Sequence, residues 1–158
     1  LKTLPLTSRN IVTGKFLGSF FVATIALLPT LIYIVSIQQL AVGSGLDFGA
    51  TIGAYIGLFF LAAVFSAIGI CASSFTNNAV VAFIISLIAC ALLYYGFNAI
   101  SKLPFLSGGL DYYIEMAGID FHYSSISKGV VDTRDIIYFT SVLLLMLFIT
   151  ERNLSKKI

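Results

Sequence analysis

Charge is what this sequence has least of for its length. Asp, Glu, Lys and Arg together make up 10% of the 158 residues, where a soluble domain carries roughly 25% to face water on all sides. A water-soluble globular fold is thereby excluded. The 59% hydrophobic content and the mean hydropathy of +1.03 put the chain in a bilayer. Histidine occurs once, as His122, and cysteine twice, as Cys71 and Cys90. A metal centre needs clustered His, Cys or carboxylates, and these three positions offer no such spacing. The cysteines read as small apolar packing residues rather than as a disulfide. A net charge of +2 without a basic stripe excludes nucleic acid as a partner. No phosphate-cradling glycine loop is present, so ATP hydrolysis is not expected in this chain. No catalytic, cofactor-binding or metal-ligating residue is expected, and the chain is read as a non-enzyme.

What is present is four apolar runs. Phe16 to Ile37 spans about 22 uncharged residues, enough to cross the bilayer, with Pro29 as an internal kink whose freed carbonyl hydroxyls such as Thr30 can satisfy. Gln38 and Gln39 mark the interface, and a turn-rich loop follows. The second run extends from Phe48 to about Cys71 and the third from Ala79 to about Ile100, with Tyr94, Tyr95 and Phe97 as an interfacial belt. The last, Ile136 to Thr150, is short at about 15 residues and would need snorkelling or local thinning to cross. The expected fold class is all-α: a polytopic transmembrane bundle of four spanning helices plus short external amphipathic helices, forming one domain over residues 1–158. No ionisable side chain other than the thiols and tyrosines falls inside these runs, so the machinery of proton- or ion-coupled carriers is not expected.

Between the spans, Gly45, Gly49, Gly53 and Gly57 recur at i+4 spacing, a stripe that lets another backbone approach closely. It reads as helix packing rather than substrate passage. The short turn Ser73 to Asn78 carries hydroxyls and amides, with Asn78 placed to cap the helix from Ala79. Five of the seven acidic residues (Asp111, Glu115, Asp120, Asp132, Asp135) fall between Ser101 and Asp135. There Leu110, Tyr113, Ile114 and Ala117 recur at helical spacing, which predicts short amphipathic helices at the membrane surface. His122, flanked by Phe121 and Tyr123, reads as a surface or packing residue. A triad of Asp120, His122 and Ser124 or Ser125 fails because neighbours on a helix point apart.

The opening stretch LKTLPLTSRNIVTGKFL concentrates Lys2, Arg9 and Lys15 ahead of the first apolar run. Six of the nine Lys and Arg residues (with Arg152, Lys156 and Lys157) lie near the two chain ends. Basic residues in short segments favour the cytoplasm, so both ends are expected inside, in the inner (plasma) membrane.

These residues also carry a family likeness. LKTLPLTSRNIVTGKFLGSF resembles the segment before the third span of type-2 ABC exporter permeases. LFFLAAVFSAIGICASSFTNNAVVAFI resembles their fourth span, cytoplasmic turn and fifth span, and ISKGVVDTRDIIYFTSVLLLMLFIT resembles the lead into the sixth. The pattern is most similar to the gliding-motility-associated subgroup. The resemblance implies that the four spans are the third to sixth of six, with two more expected upstream. It further implies a second permease subunit, as a homo- or heterodimer, and a cytosolic ABC ATPase. Leu4, Pro5, Arg9 and Lys15 would belong to an ATPase-coupling segment, and Ser74, Asn77 and Asn78 to a second cytoplasmic contact. A membrane scaffold for a motility or envelope complex, without transport, is the alternative.

Overall fold

A computed structural model of the chain describes residues 7–40, 47–103 and 109–156. The regular elements among them are helices, and four stretches have the length and apolarity to cross a bilayer: Ser8–Leu40, Phe48–Phe75, Ala79–Ser101 and Thr133–Ser155. The fold is an all-α polytopic bundle.

The first span consists of α1 (Ser8–Leu27), a tight 3-10 turn at Leu28–Thr30 and α2 (Leu31–Leu40). It begins about two turns ahead of the apolar run, because Thr7 caps the helix by accepting from the Asn10 amide at 3.4 Å. Arg9 and Lys15 therefore project from a helix, not from a loop. The backbone tightens at Pro29, which has no amide hydrogen. The Thr30 hydroxyl donates to the Leu27 carbonyl at 2.6 Å. Its oxygen is then left to accept from the Tyr55 hydroxyl at 2.9 Å, which ties this span to the next.

That next span, α3 (Phe48–Phe75), is the post on which the bundle is built. The Asp47 carboxylate caps it, accepting from the Gly49 and Ala50 amides at 2.9 and 3.2 Å. Its most apolar stretch is 39% buried, against none for the first and third spans, so α3 is the helix the others surround. It packs against α1, against α4 (Ala79–Ala91), against α7 (Ile119–Ser127) and against α8 (Thr133–Ser155). The face it buries is made of small residues, Ala63, Ala67, Cys71 and Ala72, with Val64 and Ile68 between them. Lipid tails are as apolar as these side chains, so association rests on close packing. Val64 and Ile68 join Ile119, Ile126 and Phe139 in one buried cluster, with the Phe60 ring stacked on Phe139 at 5.7 Å.

The third span is α4, a wide π turn at Leu92–Gly96, and α5 (Phe97–Ser101). The expected aromatic belt is divided here: Tyr95 is exposed, whereas Tyr94 packs against the core and Tyr123. The fourth span, α8, is longer than expected. At 23 residues it reaches about 34 Å, long enough to cross without thinning. Its added turns contain Arg134, Asp135, Glu151 and Arg152, charges that the apolar-run reading had placed outside. Asp135 is wholly buried, which corrects the expectation of spans without ionisable groups.

α6 (Leu110–Glu115) and α7 are short helices outside the four spans. They form a cap over one end of the bundle, with Ile119, His122 and Ile126 of α7 pointed inward and buried. Tyr113, assigned to an apolar face, is 70% exposed, and Ala117 falls in the turn beyond α6. The glycine stripe serves this cap rather than another spanning helix. A methyl on Gly53 would collide with the Ile126 carbonyl and lie 2.8 Å from the Gly129 Cα; one on Gly57 would lie 3.0 Å from the Tyr123 ring. Gly129, at φ +86°, adopts a backbone that L side chains avoid, and it lies against the Gly49 backbone. Gly45 lies outside the described residues.

In an unhindered helix interior, Gly→Ala gains about 1 kcal/mol of helix propensity. At Gly53 the methyl must displace backbone, so Gly53→Ala should instead cost about 1–3 kcal/mol. At Gly69 a methyl meets nothing within 4 Å, so Gly69→Ala should leave thermal unfolding in detergent unchanged or raised. Equal midpoints for the two variants would contradict this packing.

Candidate functional site

The end of the bundle opposite the cap is where the sequence-derived candidates gather. α3 stops at Phe75, and three residues, Thr76 to Asn78, turn the chain into α4. The Asn78 side chain accepts from the Val80 and Val81 amides at 2.9 and 3.4 Å, and the Asn78 backbone N–H donates to the Thr76 hydroxyl at 3.1 Å. Asn78 is thus committed to capping α4. Asn77, beside it, is exposed at the apex. The last turn of α3 leaves carbonyls without helical partners. One of these, on Ser74, accepts from the Asn153 side chain at 2.8 Å, and the same Asn153 nitrogen donates to the Ser74 hydroxyl at 3.0 Å. The turn is thereby fastened to the far end of α8.

α1 completes this end. Lys15 and Val12 of α1, Ser73, Ser74 and Asn77 of the turn region, and Thr150 and Leu154 of α8 line one cleft of about 300 Å³. Two segments separated by roughly sixty residues of sequence, the basic start and the short polar turn, thus meet at one opening. Arg9 lies elsewhere on α1. With Thr13 it lines a neighbouring groove against Leu144, Leu147, Phe148 and Glu151 of α8, about 310 Å³ in volume. Leu4 and Pro5 lie outside the described residues. Asn153 and Glu151 were missed in the sequence because they were read as tail. Their signal was the helical register with Thr150, visible once α8 is carried through to Ser155. The arrangement presents a polar turn and a lysine at one cleft, with Arg9 in the groove beside it.

At the cap end lies a second polar cluster. His122 Nδ1 is 2.6 Å from Asp135 Oδ1, and His122 Nε2 is 2.9 Å from the Met116 carbonyl. His122 and Asp135 are 1% and 0% exposed. A His–Asp pair invites a hydrolase reading, but the Nε2 that would activate a nucleophile is held by a backbone carbonyl. The serines Ser124 and Ser127 donate to carbonyls of their own helix at 2.9 and 3.0 Å. His122 is therefore a packing residue, the buried alternative of the two expected, and not part of a triad. Among the described residues no three His, Cys, Asp or Glu side chains gather as a metal set, and Cys71 and Cys90 are free thiols.

Comparison with known families matches residues 1–108 to the ABC-2 family transporter proteins. The chain belongs to that family. The match takes in the first three spans of this ABC-2 permease, including α1 and the Ser73–Asn78 turn, so the cleft is built largely from the matched region. No curated protein and no solved structure matches the chain. The family places the protein as a multi-pass membrane permease of an ABC transporter.

If Asn78 is a cap, Asn78→Asp should retain stability, because aspartate caps equally well, whereas Asn78→Ala should lose about 1 kcal/mol in thermal unfolding. Equal losses in the two variants would assign Asn78 another role.

Proposed function

We propose that this ABC-2 permease is the transmembrane subunit of an exporter, and that a separate cytosolic ABC ATPase drives it by gripping the cleft end of the bundle. The observation that carries this reading is the convergence of Lys15, Ser74 and Asn77 on one cleft. ATP hydrolysis on another subunit must reach the permease mechanically. A cleft framed by α1, the α3–α4 turn and the end of α8 lets one docked surface move three spans together. In this reading Leu4, Pro5, Arg9 and Lys15 form the first contact and Ser74 and Asn77 the second, while Asn78 holds the second in shape.

The charge distribution supports a cytoplasmic cleft end in the inner membrane. Arg9, Lys15, Arg152 and Lys156 lie at that end, against Lys102, Lys128 and Arg134 at the cap end. Both chain ends are then inside and the cap outside. The extensive apolar surfaces of the first and third spans, including Phe21, Ile32, Val80 and Phe83, would be shared between lipid and a second permease subunit. A gliding-motility-associated transporter is the subgroup whose sequence pattern it most resembles.

The test uses the permease co-reconstituted with its ATPase in nanodiscs. The double substitution Arg9→Glu with Lys15→Glu reverses charge on the contact and should weaken ATPase association about tenfold or more. Lys102→Glu, at the cap end, should leave it unchanged. Association unaffected by the α1 substitutions would sink the proposal and favour a non-transporting scaffold.

A further inference from the structure

We propose that the groove between α1 and α8 holds a phospholipid of one leaflet, and that its mouth selects a head group pairing a phosphate with a primary ammonium, as in phosphatidylethanolamine. Two hollows follow one another along this face. The outer one, about 310 Å³, is lined by Arg9 and Thr13 of α1 and by Leu147, Phe148 and Glu151 of α8. The inner one, about 210 Å³, is walled by Phe16 and Phe20 of α1 and by Phe139, Thr140 and Leu143 of α8. Positions 9, 13, 16 and 20 recur every three or four residues, so they share one face of α1. Positions 140, 143, 147 and 151 do the same on α8. Arg9 thus shares the outer hollow with Glu151, and Phe20 shares the inner one with Thr140.

Length decides the class of occupant. Arg9 to Phe20 is eleven residues, about 16 Å along the helix axis, and half of the ~30 Å hydrocarbon core is about 15 Å. The groove is therefore one leaflet deep. That suits an acyl chain, whereas a partner's spanning helix would require a face twice as long. The inner hollow is aromatic: the Phe16 and Phe20 rings stack at 5.7 Å, and Phe20 meets Phe59 of α3 edge-on at 4.8 Å. Phe60 and Phe139, stacked on each other, close it from behind.

The mouth decides the head group. Arg9 is exposed and Glu151 half-buried on opposite walls of the outer hollow, yet among the described residues neither joins an ion pair. The Thr13 hydroxyl donates to the Arg9 carbonyl at 3.0 Å, so it offers no hydrogen outward. Arg152 lies 5.1 Å over the Phe148 ring and braces the outer wall. One guanidinium and one carboxylate thus face a common hollow without touching. A ligand that carries both charges satisfies them together: its phosphate accepts from Arg9 and its ammonium donates to Glu151. A head group that is only anionic would set its charge against Glu151, and a quaternary ammonium has no hydrogen to donate. The groove would hold its lipid whichever leaflet this end of the bundle occupies.

The experiment is native mass spectrometry of the full chain without an ATPase, so the docking of that subunit plays no part in the result. The protein is released from nanodiscs holding equal parts of phosphatidylethanolamine, phosphatidylglycerol and phosphatidylcholine with matched tails. Retained phosphatidylethanolamine should exceed each of the others by about tenfold, the worth of one charge-assisted hydrogen bond. Glu151→Gln should abolish the preference over phosphatidylcholine, and Arg9→Gln should weaken retention of all three. Thr140→Trp, at an exposed position, fills the inner hollow and should displace the lipid while helical content by circular dichroism is unchanged. Glycerophosphoethanolamine, the head group without tails, should not compete at equal concentration. Equal retention of the three lipids, a preference that survives Glu151→Gln, or retention indifferent to Arg9→Gln or Thr140→Trp would overturn the proposal, as would competition by the tailless head group.

Discussion

A backbone-to-backbone approach, between Gly53 of α3 and the Ile126–Gly129 exit of α7, is the constraint on which the rest of this protein depends. No side chain fits there. Because it is bare, α7 can sit down on the central post and turn Ile119, His122 and Ile126 inward. Because α7 is seated, Asp135 finds a partner and the last span can begin with a charged turn in a buried setting. Held further out by even a methyl, α7 would leave a carboxylate unpaired in an apolar environment, a situation far more costly than a lost packing contact.

The same helix organises both ends differently. Toward the cap, α3 presents glycine and admits backbone; toward the cleft, it presents Ala63, Ala67, Cys71 and Ala72, which admit α8 and α1 closely. Its last turn then hands Ser74 to Asn153 and leaves Asn77 at the apex. A helix of 28 residues thus connects a polar cleft at one end to the cap at the other. Under the proposed function, a displacement imposed at the cleft is carried along α3 to the cap, with no charge needing to move through the bilayer interior.

Much of this was legible in the sequence, for reasons that are physical. Lipid demands about twenty apolar residues per crossing, so four spans could be counted directly. Asn78 announced its cap because amide side chains next to apolar runs have few other uses. The glycine spacing was equally visible, but its partner was not. Gly129 sits more than seventy-five residues beyond Gly53, and its role depends on a positive φ that no spacing reveals. The last span was drawn too short because Arg134, Asp135, Glu151 and Arg152 look like interface. Only the fold shows that His122 is the partner of Asp135. His122 was open between surface and packing because its sequence neighbours are aromatic and its partners, Met116 and Asp135, lie 6 and 13 residues away.

The central claim is that the cleft formed by α1, the α3–α4 turn and the end of α8 is the surface a driving ATPase holds. Photo-cross-linking from single positions in the assembled transporter tests it most directly. A photoreactive residue at Asn77 or Lys15 should cross-link to the ATPase subunit, while one at Tyr113 on the cap should not. Cross-links from Tyr113 with none from Asn77 or Lys15 would contradict both the docking surface and the orientation of the bundle.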